Sequence, residues 1–410
     1  MRISTANRYS AAVESLQVRQ ADMVVAQTQM TSGKRINKPS DDPTGAARAE
    51  RAYVAQQRIG SDQRSVDASR NVMTLTESAL GQAGDLMQSA RETLVAAGNG
   101  SLGASGRAIQ ADQLIQLRAQ LLTLANQAGS AGGYLFGGQG ATVMPFLDKP
   151  YTPDTPETPG GVTWSATGGQ NQLSASEQMP TTVDGQAIWL SAPSGNGVFV
   201  TGGGAANKGT AWIDVGTVTT PGDVTDPNYE IAFAGSGDAA TYSVTPDDAA
   251  GAQSNVAFKS GRTITVGGMS VHITGAPADG DVFTLKPSTP DLSPFAALDR
   301  AIDMLRRDRD PPANAGQIAQ AVNSGLRDLD AVMGHFQAAR ADVGSTLNRL
   351  DAIDGRNQDR LLWAKAVQAD AEDVDMVQAI SDFKNQQTGY QAALQSYAAV
   401  QRMSLFDYIK

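Results

Sequence analysis

The sequence predicts an α+β protein: a long antiparallel helical rod built by the N- and C-terminal segments, with a mainly-β domain inserted between them. Three observations carry this expectation. Both ends of the 410-residue chain repeat apolar residues in steps of four and three. The middle, about 141–295, changes to short β-branched and aromatic runs separated by Gly, Pro and Asp. An insertion of this kind needs its two ends close together, which an antiparallel helical pair supplies.

Residues 1–40 form the first assembly segment. Tyr9, Val13, Leu16, Gln20, Met23, Gln27 and Met30 follow a heptad seam in which two positions are glutamine. A seam that polar makes a poor core for a lone chain, so this segment is expected to be disordered in the monomer. Ser32-Gly33 ends the helix, and Lys34 to Pro39 cannot continue it past the proline. Asp42 is placed as the N-cap of the next helix and Pro43 at its first position, with Asp41 and Asp42 facing its positive end.

Residues 41–140 give the N-terminal half of the rod. No proline interrupts Thr44 to Ala97, a span of roughly 80 Å if continuous, although Gly60, Gly81 and Gly84 weaken that continuity. Gly98-Asn99-Gly100 ends it, and a further helix follows at about 105–128. The glycine-dense stretch 129–140, with Gly133 in a turn before Tyr134, Leu135 and Phe136, implies tight turns or close backbone approach. It lacks the lysine of a phosphate-binding loop.

The inserted domain, 141–295, holds three of the four tryptophans and 20 charged residues, 15 acidic and 5 basic. Strands are expected at Ala187–Ser191, Trp212–Val218, Tyr229–Ala234, Ala240–Thr245, Arg262–Val266, Met269–Thr274 and Val282–Lys286. Gly267-Gly268 marks a hairpin and Asp279-Gly280-Asp281 another turn. Whether the domain is one lobe or two stays open.

Residues 296–375 return the helical half-rod, with Val343, Leu347, Leu350, Asp354, Asn357 and Leu361 in a second seam. Residues 376–410 form the C-terminal assembly helix, with Met376, Ile380, Phe383, Gln387, Tyr390, Leu394 and Tyr397 in the same spacing as the N-terminal seam.

Composition narrows function. The net charge is −10, concentrated in the middle, and the first 60 residues carry 9 basic and 5 acidic groups. No dense basic stripe points to nucleic acid. No run approaches 18 apolar residues, so no membrane insertion is expected. The start lacks an apolar signal-peptide core. Cysteine is absent, which removes thiolate chemistry and disulfides. Of the two histidines, His272 lies in a strand-like run and His335 beside Phe336, neither at metal-ligand spacing from the other. No serine occupies a nucleophile elbow. Asp370, Glu372, Asp373 and Asp375 read as a solvated or ion-paired face. No catalytic, cofactor-binding or metal residue, and no cofactor, is expected.

Both ends resemble one family. The opening MRIST, the stretch Gln29–Ala49 (QMTSGKRINKPSDDPTGAARA), Gly133–Gly138, Asn348–Leu350, Ala371–Asp375, the final Ala392–Lys410 and the β element Gly267–Ser288 are similar to the flagellar hook-associated protein 3, or hook–filament junction, family of the flagellin superfamily. The resemblance implies a structural subunit and not an enzyme. Its members leave the cell by type III export without a cleaved signal and reside in the extracellular flagellum. Implied partners are copies of the chain in a ring-like layer, another hook-associated protein, flagellin, and an export chaperone on the C-terminal helix. The assembly residues carried over are Tyr9, Val13, Leu16, Met23 and Met30 with Met376, Ile380, Phe383, Tyr390, Leu394 and Tyr397. The alternatives are a filament-forming flagellin and an extracellular adhesin or glycan-binding module with coiled-coil arms.

Overall fold

A computed structural model describes residues 5–407, apart from 100–101, 130–131, 141, 149–160, 174–176, 178, 225–227, 247–251 and 307–314. In chain order the helices are α1 (Thr5–Ser32), α2 (Pro43–Ala97), α3 (Ala104–Ala125), α4 (Gly185–Trp189), α5 (Pro294–Arg306), α6 (Ala315–Glu372) and α7 (Met376–Asp407). The strands are β1 (Phe146–Asp148), β2 (Val162–Trp164), β3 (Phe199–Gly203), β4 (Trp212–Ile213), β5 (Thr217–Val218), β6 (Tyr229–Ala234), β7 (Thr241–Pro246), β8 (Gln253–Ala257), β9 (Thr263–Val266), β10 (Met269–Thr274) and β11 (Val282–Pro287). This is the expected class: long helices from both ends of the chain and a β-rich insertion.

The chain divides into two compact units, residues 1–64 with 352–410 and residues 65–351. In the first, α1 packs on α7, and the early turns of α2 run against the end of α6. There Gln56 donates to Gln368 (2.6 Å) and Gln63 to Asp354 (2.7 Å). Rising numbers on one helix meet falling numbers on the other, so the pair is antiparallel.

In the second unit the same direction persists through Arg70–Asp351 (2.9 Å), the Glu77–Arg340 ion pair and Arg91–Asp330 (2.8 Å). These are surface pairs and set register more than they stabilise. The stability comes from the apolar stripe: Val72, Leu80, Met87 and Leu94 of α2 and Leu329, Val332, Phe336, Val343 and Leu350 of α6 are buried. Glycine does not interrupt α2: Gly60 and Gly84 face open space, and Gly81 has only the Arg340 guanidinium near it. α3 packs on α5, burying Leu114, Leu121, Phe295 and Leu298.

The β insertion contains two larger sheets and a ribbon. One antiparallel sheet has the order β3-β11-β6-β7-β8, and in the other β10 pairs with β9 along one edge and with β4 and β5 along the other. Alternating residues from both fill one core, including Phe199, Ile213, Ile231, Phe233, Val271, Ile273, Phe283 and Leu285. The Gly267-Gly268 hairpin forms as expected, because both residues have positive φ (50° and 73°) and Met269 pairs with Val266. The β1–β2 ribbon lies apart from that core. Phe146 on β1 stacks edge-on to Trp164 of β2 (5.0 Å between centroids) and lies 6.2 Å from Trp189, around which Phe136, Phe295 and Phe336 also gather.

Two expected strands are corrected. Trp212–Val218 is not one strand: β4 and β5 flank residues 214–216, where Gly216 takes φ 68°. Ala187–Ser191 is not extended; α4 occupies Gly185–Trp189, started by Asp184, whose carboxylate accepts the Ala187 N–H (3.1 Å). A capping aspartate three residues ahead outweighs the β propensity of Ile188 and Trp189. Pro311-Pro312 and much of 141–180 lie outside the described residues.

Candidate functional site

The candidate site is the terminal helix pair of the first unit and the clasp that joins it. Residues 33–37 and 371–375 meet backbone to backbone. The Arg35 N–H donates to the Glu372 carbonyl (2.6 Å) and the Val374 N–H to the Gly33 carbonyl (3.0 Å). The Arg35 guanidinium donates to the Ala371 carbonyl (2.9 Å), and Lys34 pairs with Glu372 (3.0 Å). Gly33 takes φ 69°, which ends α1 and turns the chain into the clasp. α7 is then started by Asp375, whose carboxylate accepts the Val377 N–H (2.9 Å) and the Gln378 N–H (3.2 Å). The acidic run Asp370–Asp375 therefore contains an ion-pair partner and a helix cap. Among the described residues no group of three or more His, Asp or Glu side chains is placed to hold a metal.

Behind the clasp a second cap fixes the entry to α2. Asp41 accepts the N–H groups of Asn37 (3.1 Å) and Lys38 (2.9 Å). Asp42 accepts the Gly45 N–H (3.0 Å) and the Thr44 hydroxyl (2.9 Å), and Pro43 is the first residue of α2. The Gly45 bond, then the Thr44 bond, hold the Asp42 carboxyl below its ordinary value, against a smaller opposing effect of burial. Gly45 has no room for a side chain: a Cβ there would collide with the Asp42 carboxylate and with Ile36, which is itself buried.

The α1–α7 pair is antiparallel, since the Arg19 guanidinium lies where a Cβ on Gly389 would stand, and Lys34 bridges Asp373 at the far end. That register brings the stretch around Ala26 beside the stretch around Phe383. Val13, Leu16, Met23 and Met30 are half-buried, as are Phe383, Tyr390 and Tyr397. Ala26 and Ala379 are buried, whereas Met376, Ile380 and Leu394 are exposed, and so are Gln20, Gln27 and Gln387. The side-chain placement of Tyr9, on α1, lies outside the described residues.

Gly133 lies in the glycine-dense turn, its carbonyl accepting the Gly129 N–H (2.6 Å), while Gly132 supplies the positive φ (86°). Both histidine rings bond to protein groups. His335 bonds to the Ala187 carbonyl (2.8 Å). On β10, His272 lies between Asp214 (Nδ1 to Oδ2, 2.9 Å) and Thr263 (Nε2 to Oγ1, 3.0 Å), and its own N–H donates to Asp214 (2.8 Å). Thr263 is the cross-strand partner of His272 in register, so the trio ties β9 and β10 to the residue after β4.

Two clusters escaped sequence reading. Asp281, 1% exposed, accepts the N–H groups of Lys208 (2.7 Å), Gly209 (3.0 Å) and Ala278 (2.9 Å). Arg118 of α3 lies 2.6 Å from Asp299 of α5 and 2.8 Å from Asp148 of β1, and 5.9 Å from the Phe295 ring centre. Burial pushes the Asp299 carboxyl up, and Arg118 opposes that shift without cancelling it. These partners are 181 and 30 residues from Arg118, which leaves no periodic signal; only an arginine on an otherwise leucine-rich helix hints at them.

The comparisons agree with the geometry. The bacterial flagellin N-terminal helical region matches residues 3–141. Flagellar hook-associated protein 3 of Escherichia coli strain K12 is 25% identical over 411 positions, spanning 100% of both chains, and its Salmonella typhimurium counterpart is 25% identical over 99% of each. A crystal structure of Xanthomonas campestris FlgL superposes with TM-score 0.67 at 27% identity, covering 78% of this chain and 99% of that one. The flagellar junction protein FlgL from Legionella pneumophila gives 0.65 at 25%, covering 80% and 100%. A flagellin of Treponema pallidum is 34% identical over only 27% of this chain. The chain is thus similar along its whole length to flagellar hook-associated protein 3, and its first third is similar to the flagellin N-terminal helical region.

Proposed function

We propose that this chain is a structural, non-catalytic adapter that joins the flagellar hook to the filament, outside the cell. One observation carries the reading: the likeness to hook-associated protein 3 spans both chains from end to end, whereas the likeness to flagellin covers about a quarter. Its partners are hook and flagellin components.

In finer detail, copies of the chain form a ring-like layer, with another hook-associated protein on one side and the first flagellins on the other. Residues 1–40 and 376–410 are its assembly segments. The exposed Met376, Val377, Ile380 and Leu394 support this, because an apolar stripe left open on a lone chain favours burial against neighbours. The same stripe suits an export chaperone on the C-terminal helix before assembly. A chain without cysteine can cross a narrow channel unfolded and refold without oxidation, which fits export without a cleaved signal.

Deleting the gene and imaging the flagella tests the reading. The expected phenotype is complete hooks without filaments, with flagellin shed into the medium. Filaments of normal length on the deletion strain would overturn it.

A further inference from the structure

Most of the exposed large apolar side chains of the described residues belong to the first unit, which holds under a third of the chain. The most exposed neighbouring pair is Leu362 and Trp363 of α6, 66% and 70% accessible. Tryptophan so placed is the residue type that most often anchors an interface once covered. Arg360 and Lys365 stand beside the pair in sequence.

The second unit carries a feature of opposite shape. α2 and α3 leave a groove of about 450 Å³ between them, with Leu86 and Leu124 half-buried in it and Asp85, Ser89 and Gln120 among its polar lining. An apolar floor with a polar border is how protein interfaces are built. Asp85 gives this border an acidic charge suited to Arg360 and Lys365.

Resting on the adapter reading, we propose that Leu362 and Trp363 of one copy seat in the α2–α3 groove of the next. The occupant is a second copy of this chain. Knob and groove are different surfaces of one molecule, so the contact is heterologous and each copy keeps one of each for its neighbours. Contacts of that kind propagate and close into a ring when the rotation allows, whereas a self-complementary patch stops at a dimer. A ring-like layer needs the first kind.

The absence of cysteine makes the test direct. Full-length Trp363→Cys and Gln120→Cys chains are mixed at high concentration and oxidised, with Trp363→Cys plus Ile109→Cys as control. Ile109 is exposed on the same helix, about 16 Å from Gln120 along its axis. The expected result is heterodimer forming at least tenfold faster with Gln120→Cys, and a ladder beyond dimers from the double variant Trp363→Cys/Gln120→Cys. Equal rates for the two pairs, or Trp363→Cys pairing chiefly with itself, overturn the proposal. Independently of any cysteine, Trp363→Ala weakens self-association about tenfold in sedimentation while Ile109→Ala does not; equal behaviour also overturns it. Should these fail while the wild-type chain restores filaments to the deletion strain, the pairing falls and the adapter reading stands.

Discussion

Arg118 ties α3 to α5 and to β1 by ion pairs. Removing it as Arg118→Met leaves Asp299 buried without its cation, and breaking a buried pair in this way costs about 3–5 kcal/mol. The pH dependence has a definite sign. A carboxyl whose folded value lies above its unfolded value binds more protons in the folded state, so its contribution weakens as pH rises from the unfolded value through the folded one. Without Arg118 that value climbs further, and the deficit of the variant shrinks on acidification. Urea denaturation between pH 4 and 8 measures it. Asp42 has the opposite sign: its lowered carboxyl contributes above the unfolded value and loses that contribution as pH falls through the folded one. Gly45→Ala, which drives a methyl into Asp42 and Ile36, is expected to lower the melting temperature and loosen the start of α2, read by hydrogen exchange at Ala46 and Ala47. The cap was legible because Asp-Asp-Pro is a local signal. The Arg118 cluster was not, since its partners are distant in sequence and each looks like surface charge alone.

At the scale of elements, periodicity gave the long helices at sight, and turn residues gave the Gly267-Gly268 hairpin. α4 was missed because the Asp184 cap outweighs the strand preference of Ile188 and Trp189. Along the expected α7 seam, Phe383, Tyr390 and Tyr397 are half-buried in the lone chain, whereas Ile380 and Leu394 are exposed beside Ala379, which is buried, and Ala393, which is half-buried. That difference predicts contrasting behaviour. Leu394→Ala is expected to change the stability of the isolated chain by less than about 0.5 kcal/mol, as at other exposed sites, yet to reduce incorporation into flagella. Phe383→Ala removes a half-buried ring and lowers both. Thermal melts of purified chains, beside quantitation of the subunit in isolated flagella, separate the two effects.

For the whole molecule, the α+β plan was readable because helical ends and a β-rich middle differ in period, glycine content and charge. How the two larger sheets share one core was not, as strand order is set by pairings across up to 88 residues, such as β3 with β11. The proposed adapter role assigns assembly to both ends together. A chain cut back to residues 65–351 keeps the described cores of the second unit but loses every assembly segment. It is expected to remain outside flagella and to leave the deletion strain without filaments, as immunoblots of isolated flagella and motility on soft agar would record.

The clasp leaves the terminal pair no freedom to slide. Its backbone bonds from residues 33 and 35 to residues 372 and 374 join α1 to α7 at one end, so a shift by one heptad, about 10 Å, would first break them. They act as the pawl that holds the two helices in one notch.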